Sequence, residues 1–150
     1  MSRIDFSQAT SAKVLTQNAL AEARSGADQR LTALVEQAMT GLTGPLPLSE
    51  KLAWPTKEAA ARACLEGKPT VAERAIIGAE ADERGETPEA LARRIVARAE
   101  SWHQASARLA GIRHRMGVLI GLAEGGETIA KALEEAETLM AAAMGPAIAD

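Results

Sequence analysis

Tyrosine is absent from this 150-residue chain, phenylalanine occurs once and tryptophan twice. Leu, Ile, Val and Phe together number only 29. Strands favour β-branched and aromatic side chains, so a sheet protein is excluded in practice. Cys64 is the single cysteine, which rules out an intrachain disulfide and any multi-cysteine metal site. No apolar run approaches the roughly 20 residues that a membrane span needs, so no membrane partner is expected. The opening Met1-Ser2-Arg3-Ile4-Asp5-Phe6 lacks the apolar stretch of a signal peptide, and a soluble protein of a reducing compartment is expected. The net charge of −3 is too small to favour disorder and gives no overall bias toward nucleic acid.

What the chain has in quantity is alanine, 33 of its 70 apolar residues. Alanine has the best helix propensity but little surface to bury. The expected fold is all-α: an elongated helical bundle with a thin core, a long central helix, an antiparallel return helix and an N-terminal helical arm. Charge divides along the chain. Residues 1–87 carry a net −2, residues 88–123 a net +4 and residues 124–150 a net −5. A basic segment followed by an acidic one predicts two helices lying against each other.

Periodicity predicts a first helix over about 7–40. Leu20, Ala27, Leu31, Leu34 and Ala38 take coiled-coil-like spacing, Arg24 interrupts it, and Ser25-Gly26 is a potential kink. Gly41-Leu42-Thr43-Gly44-Pro45-Leu46-Pro47 ends that helix and marks the clearest boundary. Residues 1–43 thus read as an arm, 44–48 as a linker and 49–150 as the body. Trp54-Pro55 opens a short helix that stops at Gly67. Thr70-Val71-Ala72-Glu73 is a capping box starting another helix, which stops at Gly85. Thr87-Pro88-Glu89 starts the best-specified element. There Leu91, Ile95, Trp102, Ala105, Leu109, Ile112, Met116, Leu119 and Ala123 alternate in steps of three and four, with Arg98 in the one missing place. Such a helix spans about 36 residues, roughly 54 Å. Gly111, Gly117 and Gly121 weaken its second half and would let another backbone approach closely. After Gly125-Gly126 a last helix carries Ile129, Leu133, Ala136, Met140 and Ala143 on one face and ends at Gly145-Pro146.

Signals for chemistry are sparse. His103 and His114 share a helix face but stand about 16 Å apart, too far to share a metal ion. Cys64 has Arg62 and Lys68 near it in sequence but no histidine, so it reads as a small buried residue. Acidic pairs such as Glu134-Glu135 and Asp82-Glu83 are neighbours and do not face each other across a cleft. No phosphate-binding glycine motif occurs. Neither an enzyme, a metal, a cofactor nor a small-molecule substrate is expected. The arginines at 93, 94, 98, 108, 113 and 115 could follow phosphates, yet no Phe or Tyr is interleaved to stack bases. Nucleic acid is accordingly a secondary expectation behind a protein partner. Ile4 and Phe6 are large apolar residues at a chain end. They either pack on the first turn of their own arm or dock on another subunit.

Three runs carry a resemblance. They are Leu52-Ala53-Trp54-Pro55-Thr56-Lys57-Glu58-Ala59-Ala60-Ala61-Arg62-Ala63, then Thr87-Pro88-Glu89-Ala90-Leu91-Ala92 with Ile95-Val96-Ala97-Arg98-Ala99, then Gly111-Ile112-Arg113. In that order they resemble uncharacterised helical tail-region proteins of tailed bacteriophages and prophages, encoded near tail-fibre genes. The Ile4-Asp5-Phe6 opening resembles them as well, and the match covers roughly 50–122. Two departures stand out: the added 128–144 helix, and Ser101-Trp102 where those proteins usually carry Ala-Tyr. The resemblance implies a non-enzymatic role in a tail or its assembly, located in the virion or the bacterial cytoplasm, and supplies no catalytic residues.

The functional expectation is a tail-associated structural or adaptor protein that packs helices with copies of itself or with a tail or tail-fibre component. Ile4, Phe6, Leu20, Leu31, Leu34, Arg108, Arg113 and Arg115 are the candidate partner-binding residues. The alternative is a small helical regulator or inhibitor that binds a host protein or nucleic acid through the basic helix 88–123.

Overall fold

Each interruption of the apolar periodicity carries its own stop-and-start chemistry, and a computed structural model of the chain shows what these interruptions build. The structure describes residues 6–144, with side chains from residue 16 onward. Five helices follow in order: α1 (Phe6–Thr43), α2 (Leu48–Leu65), α3 (Val71–Arg84), α4 (Pro88–Leu122) and α5 (Gly126–Met144). No strand occurs among the described residues, and the fold class is all-α.

The caps match the sequence closely. Thr70 Oγ1 accepts from Glu73 N at 3.2 Å, and Glu73 Oε2 accepts from Thr70 N at 2.7 Å, which completes the box. Thr87 Oγ1 accepts from Ala90 N at 3.2 Å at the start of α4. Gly67 and Gly85 adopt left-handed backbone, φ 73° and 66°, where a Cβ would be strained. Behind each, two backbone N–H groups fold back onto the last turn: Gly67 and Lys68 onto Cys64 and Ala63, Gly85 and Glu86 onto Asp82 and Ala81.

Three local expectations are corrected. Helix α1 continues through Ser25-Gly26 without a break, and a Cβ on Gly26 would meet nothing within 4 Å. Glycine in a helix costs only about 1 kcal/mol, which flanking packing overrides. Helix α2 starts at Leu48, so Pro55 lies inside it and not at its first turn. Glu50 sits in that first turn, where a carboxylate favours the positive helix end. The Lys51 carbonyl, which Pro55 cannot serve, belongs to an exposed residue that water can reach. In α4, Ile120 is buried where the strict heptad named Leu119, which is 43% exposed. A 3.5-residue pattern slips about 20° per heptad on a 3.6-residue helix, and the four-residue step from Met116 to Ile120 restores the face.

Contacts divide the chain differently from the arm and body read along the sequence. One unit joins the described parts of Met1–Gly41 and Ala107–Asp150, and the other is Leu42–Ser106. Glycine and proline mark where a chain turns, but they do not say which distant segments pack.

In the first unit Ala27 and Leu31 of α1 are buried, together with Leu109, Met116 and Ile120 of α4 and Ile129, Ala132, Ala136 and Met140 of α5. Side-chain bonds fix the helix directions. Arg24 donates from Nε and Nη2 to the Ala123 carbonyl at 3.1 and 2.6 Å, and Arg113 donates to Thr32 at 3.3 Å. Helix α1 is therefore antiparallel to the end of α4. Arg115 pairs with Glu135 at 2.9 Å across the short turn, so α5 returns antiparallel. Arg30 meets Glu137 at 2.9 Å, and a Cβ on Gly41 would lie 2.9 Å from Met144 Cε. Those two contacts set α1 and α5 parallel.

Arg24 explains its own intrusion into the apolar seam. The guanidinium satisfies a carbonyl at the negative end of α4, where cations are favoured.

In the second unit the core is Ala60, Ala61, Ile77, Ala81, Leu91 and Ala92, with Cys64, Ile95 and Val96 packed on it. Arg98, the second intrusion, lies over the Trp54 ring of α2 at 5.2 Å from its centroid. Lys57 pairs with Glu80 at 2.6 Å across the α2–α3 hairpin, and Glu86 holds both Arg84 and Arg94.

Two stability predictions follow from this packing. Leu31→Ala deletes a fully buried side chain and should cost about 2–5 kcal/mol in urea unfolding followed by circular dichroism. Arg24→Met should cost about 1–2 kcal/mol by the same measurement, because it removes a charged donor from a helix-end carbonyl. An Arg24→Met variant as stable as the wild type would contradict the capping role.

Candidate interaction surface

Partner binding needs side chains that the chain has not already used. By that criterion the candidate residues separate. Leu31 is fully buried within its own unit, so it is core and not partner surface, which corrects the sequence reading. Its heptad position could not tell an intrachain seam from an intersubunit one. Leu20 and Leu34 are half-buried. Ile4 lies outside the described residues, as does the side chain of Phe6. Arg113 is spent on Thr32 and Arg115 on Glu135. Arg108 makes no hydrogen bond or ion pair among the described residues.

Arg108 and Arg115 do come together, on the rim of an open groove between α4 and α5. Gly111, Ile112, Leu139, Ala142 and Ala143 make its apolar lining, and its volume is about 400 Å³. The register follows from the antiparallel hairpin: position 111 faces 139, and 108 faces 142. Small residues at 111, 142 and 143 leave the hollow, because no side chain is long enough to fill it. A Cβ on Gly111, Gly117 or Gly121 meets nothing within 4 Å. The close backbone approach expected at these glycines is therefore not made by any described part of the chain.

Further along α4 large apolar side chains reach solvent. Leu119 is 43% exposed, Leu122 72% and Val118 47%. In the other unit Leu48 and Leu52 lie one turn apart on α2, each 71% exposed. Sequence reasoning missed Leu122, Leu48 and Leu52 as surface residues. The i, i+4 spacing of Leu48 and Leu52 before Trp54 was the available signal.

The densest polar constellation lies between α2 and α4 of the second unit. Arg62 donates from Nε and Nη2 to Glu58 Oε1 at 3.0 and 2.8 Å, and its Nη1 reaches Glu100 at 3.5 Å. His103 Nε2 lies 3.1 Å from Glu58 Oε2. The Arg62 hydrogen bond holds the Glu58 carboxyl below its ordinary value, against the opposing effect of burial, and His103 adds to the lowering. Glu58 raises the Arg62 guanidinium in turn. No nucleophile belongs to this cluster: Cys64 packs on the alanine core. Its chemistry is that of a clamp joining α2 to α4. Trp102 beside it meets His103 edge to face at 5.2 Å, and its buried Nε1 finds no acceptor among the described residues. Among the described residues no group of three His, Cys, Asp or Glu is placed to hold a metal ion, and no helix is long and apolar enough to cross a membrane.

The Glu58 clamp gives a pH dependence of defined sign. A carboxyl lowered in the folded state stabilises above the unfolded value, about 4.3, and that stabilisation is lost as pH falls through the folded value. Glu73, lowered by the Thr70 backbone and side chain, acts in the same direction. Unfolding midpoints in urea should therefore fall below about pH 4, and Glu58→Gln should flatten that fall while lowering the midpoint at pH 7. A Glu58→Gln profile parallel to the wild type would contradict the clamp.

Comparison with protein-family models, with curated proteins and with solved structures finds no match.

Proposed function

We propose that this protein is a helix-packing structural or adaptor component of a bacteriophage tail or of its assembly, acting in the virion or in the bacterial cytoplasm. Its partner is a tail or tail-fibre component, a second copy of itself, or both. The observation that carries the reading is that each unit leaves a pair of large apolar side chains exposed on a helix: Leu119 and Leu122 on α4 in the first, Leu48 and Leu52 on α2 in the second. Large apolar side chains paired one turn apart in solvent are suited to a protein–protein contact. The tail assignment itself rests on the sequence resemblance over 50–122.

The basic helix supports this reading over nucleic-acid binding. Of its six arginines, Arg94 is engaged by Glu86, Arg98 by Trp54, Arg113 by Thr32 and Arg115 by Glu135. Phosphate contacts would have to displace these partners.

The genetic test is deletion of the coding sequence from the phage or prophage that encodes it, with particles viewed by electron microscopy and virion proteins identified by mass spectrometry. Particles with missing or malformed tails or fibres are expected. Normal, fully infectious particles would overturn the reading. Salt separates the partner classes. A nucleic-acid complex with 6–10 phosphate contacts would weaken by roughly 10³–10⁵ between about 50 and 200 mM salt, whereas apolar helix packing should persist.

A further inference from the structure

The α4–α5 face is self-complementary, and the geometry points to a second copy of this chain as its occupant, docked antiparallel about a twofold axis. This inference rests on the helix-packing reading above and specifies one partner for it.

Arg108, Ile112, Arg115, Leu119 and Leu122 recur in steps of four, three, four and three, so they share one face of α4. The two ends of that face have opposite relief. Around Arg108 to Arg115 it is hollow, lined by Gly111, Ile112, Leu139 and Ala142. Toward the turn Leu119 and Leu122 offer side chains 43% and 72% exposed, which project from the helix as knobs. A twofold axis near residues 115 and 116 inverts one copy on the other. It brings the knobs of each copy to the hollow of its mate, with Leu119 opposite Ile112 and Leu122 opposite the turn that holds Arg108 and Gly111. One complementary pair on one surface is thereby used twice, which is the requirement of an isologous interface.

Charge follows the same pairing. Arg108 has no acidic neighbour among the described residues and would face the exposed Glu124 of the other copy. Arg115 comes close to its own image, where two bare cations would repel. Each is already neutralised by Glu135 at 2.9 Å, so two ion pairs meet instead. The glycines complete the fit: Gly111 has open space above its Cα, which lets a helix lie close.

Sedimentation equilibrium of the full chain tests the inference. The wild type should dimerise. Leu122→Lys enters the interface twice, sets a cation beside Arg108 of the other copy, and should raise the dimer dissociation constant by at least about a hundredfold. Leu122 is solvent-exposed, so this variant should keep its helical circular dichroism. For the register, Ile112→Cys with Leu119→Cys in a Cys64→Ser background should give a disulfide-linked dimer on mild oxidation. The two positions lie about 10 Å apart along one helix, too far for an intrachain bridge. A wild type that stays monomeric up to about 100 µM, a dimer indifferent to Leu122→Lys, or no cross-linked dimer would each overturn the proposal. None of those results touches the genetic test of the tail reading. Conversely, normal particles after deletion would sink that reading and leave the dimer standing.

Discussion

Alanine-lined contact between helices is the constraint on which the rest of this protein depends. In the second unit four of the six core side chains are alanine, at 60, 61, 81 and 92. A methyl group contributes little transfer free energy, at about 25 cal/mol per Å² buried, but it lets helix axes approach to the short end of the usual 8–10 Å. Flanking polar groups do bond across these seams, as Lys57 with Glu80 and Arg62 with Glu100. The result is a fold whose apolar seams are narrow and whose edges are laced with charge.

That lacing accounts for the residues that look misplaced in a heptad. Arg24 and Arg98 each occupy a position where the pattern calls for an apolar side chain. Each is answered by a group distant in sequence: the Ala123 carbonyl for one and the Trp54 ring for the other. Ordinary exposed ion pairs are worth about 0–1 kcal/mol. A donor on a helix-end carbonyl and a cation over a ring also fix geometry, because each is satisfied in one arrangement only. The Glu58 clamp does the same for α2 and α4 at their polar edge. The charge asymmetry between the basic and acidic segments is partly consumed in this way, through Arg115 with Glu135. It selects orientation more than it drives folding.

Function reads out of what the packing leaves over. Small residues at 111, 142 and 143 leave a hollow where larger ones would have closed the α4–α5 edge. Leu119 and Leu122 stand 43% and 72% exposed, although complete burial of an exposed leucine contributes about 1.5–3 kcal/mol. A chain poor in large apolar residues places several of them outside its own core, and the helix-packing role we propose would put them to use.

Sequence alone determined the helical class, the breaks between helices and the caps, because these depend on neighbours within a few residues. Thr70 with Glu73, Thr87, Gly67 and Gly85 are local devices and appear where the sequence puts them. The apolar periodicity of α4 and α5 was legible for the same reason. Tertiary structure decided which segments pack together. It joined α1 to the C-terminal part of the chain, buried Leu31 against its own unit, and chose Ile120 over Leu119. Those outcomes depend on contacts between residues about a hundred positions apart, such as Arg24 with Ala123. No local periodicity encodes them, since an apolar stripe specifies that it will be covered but not by what.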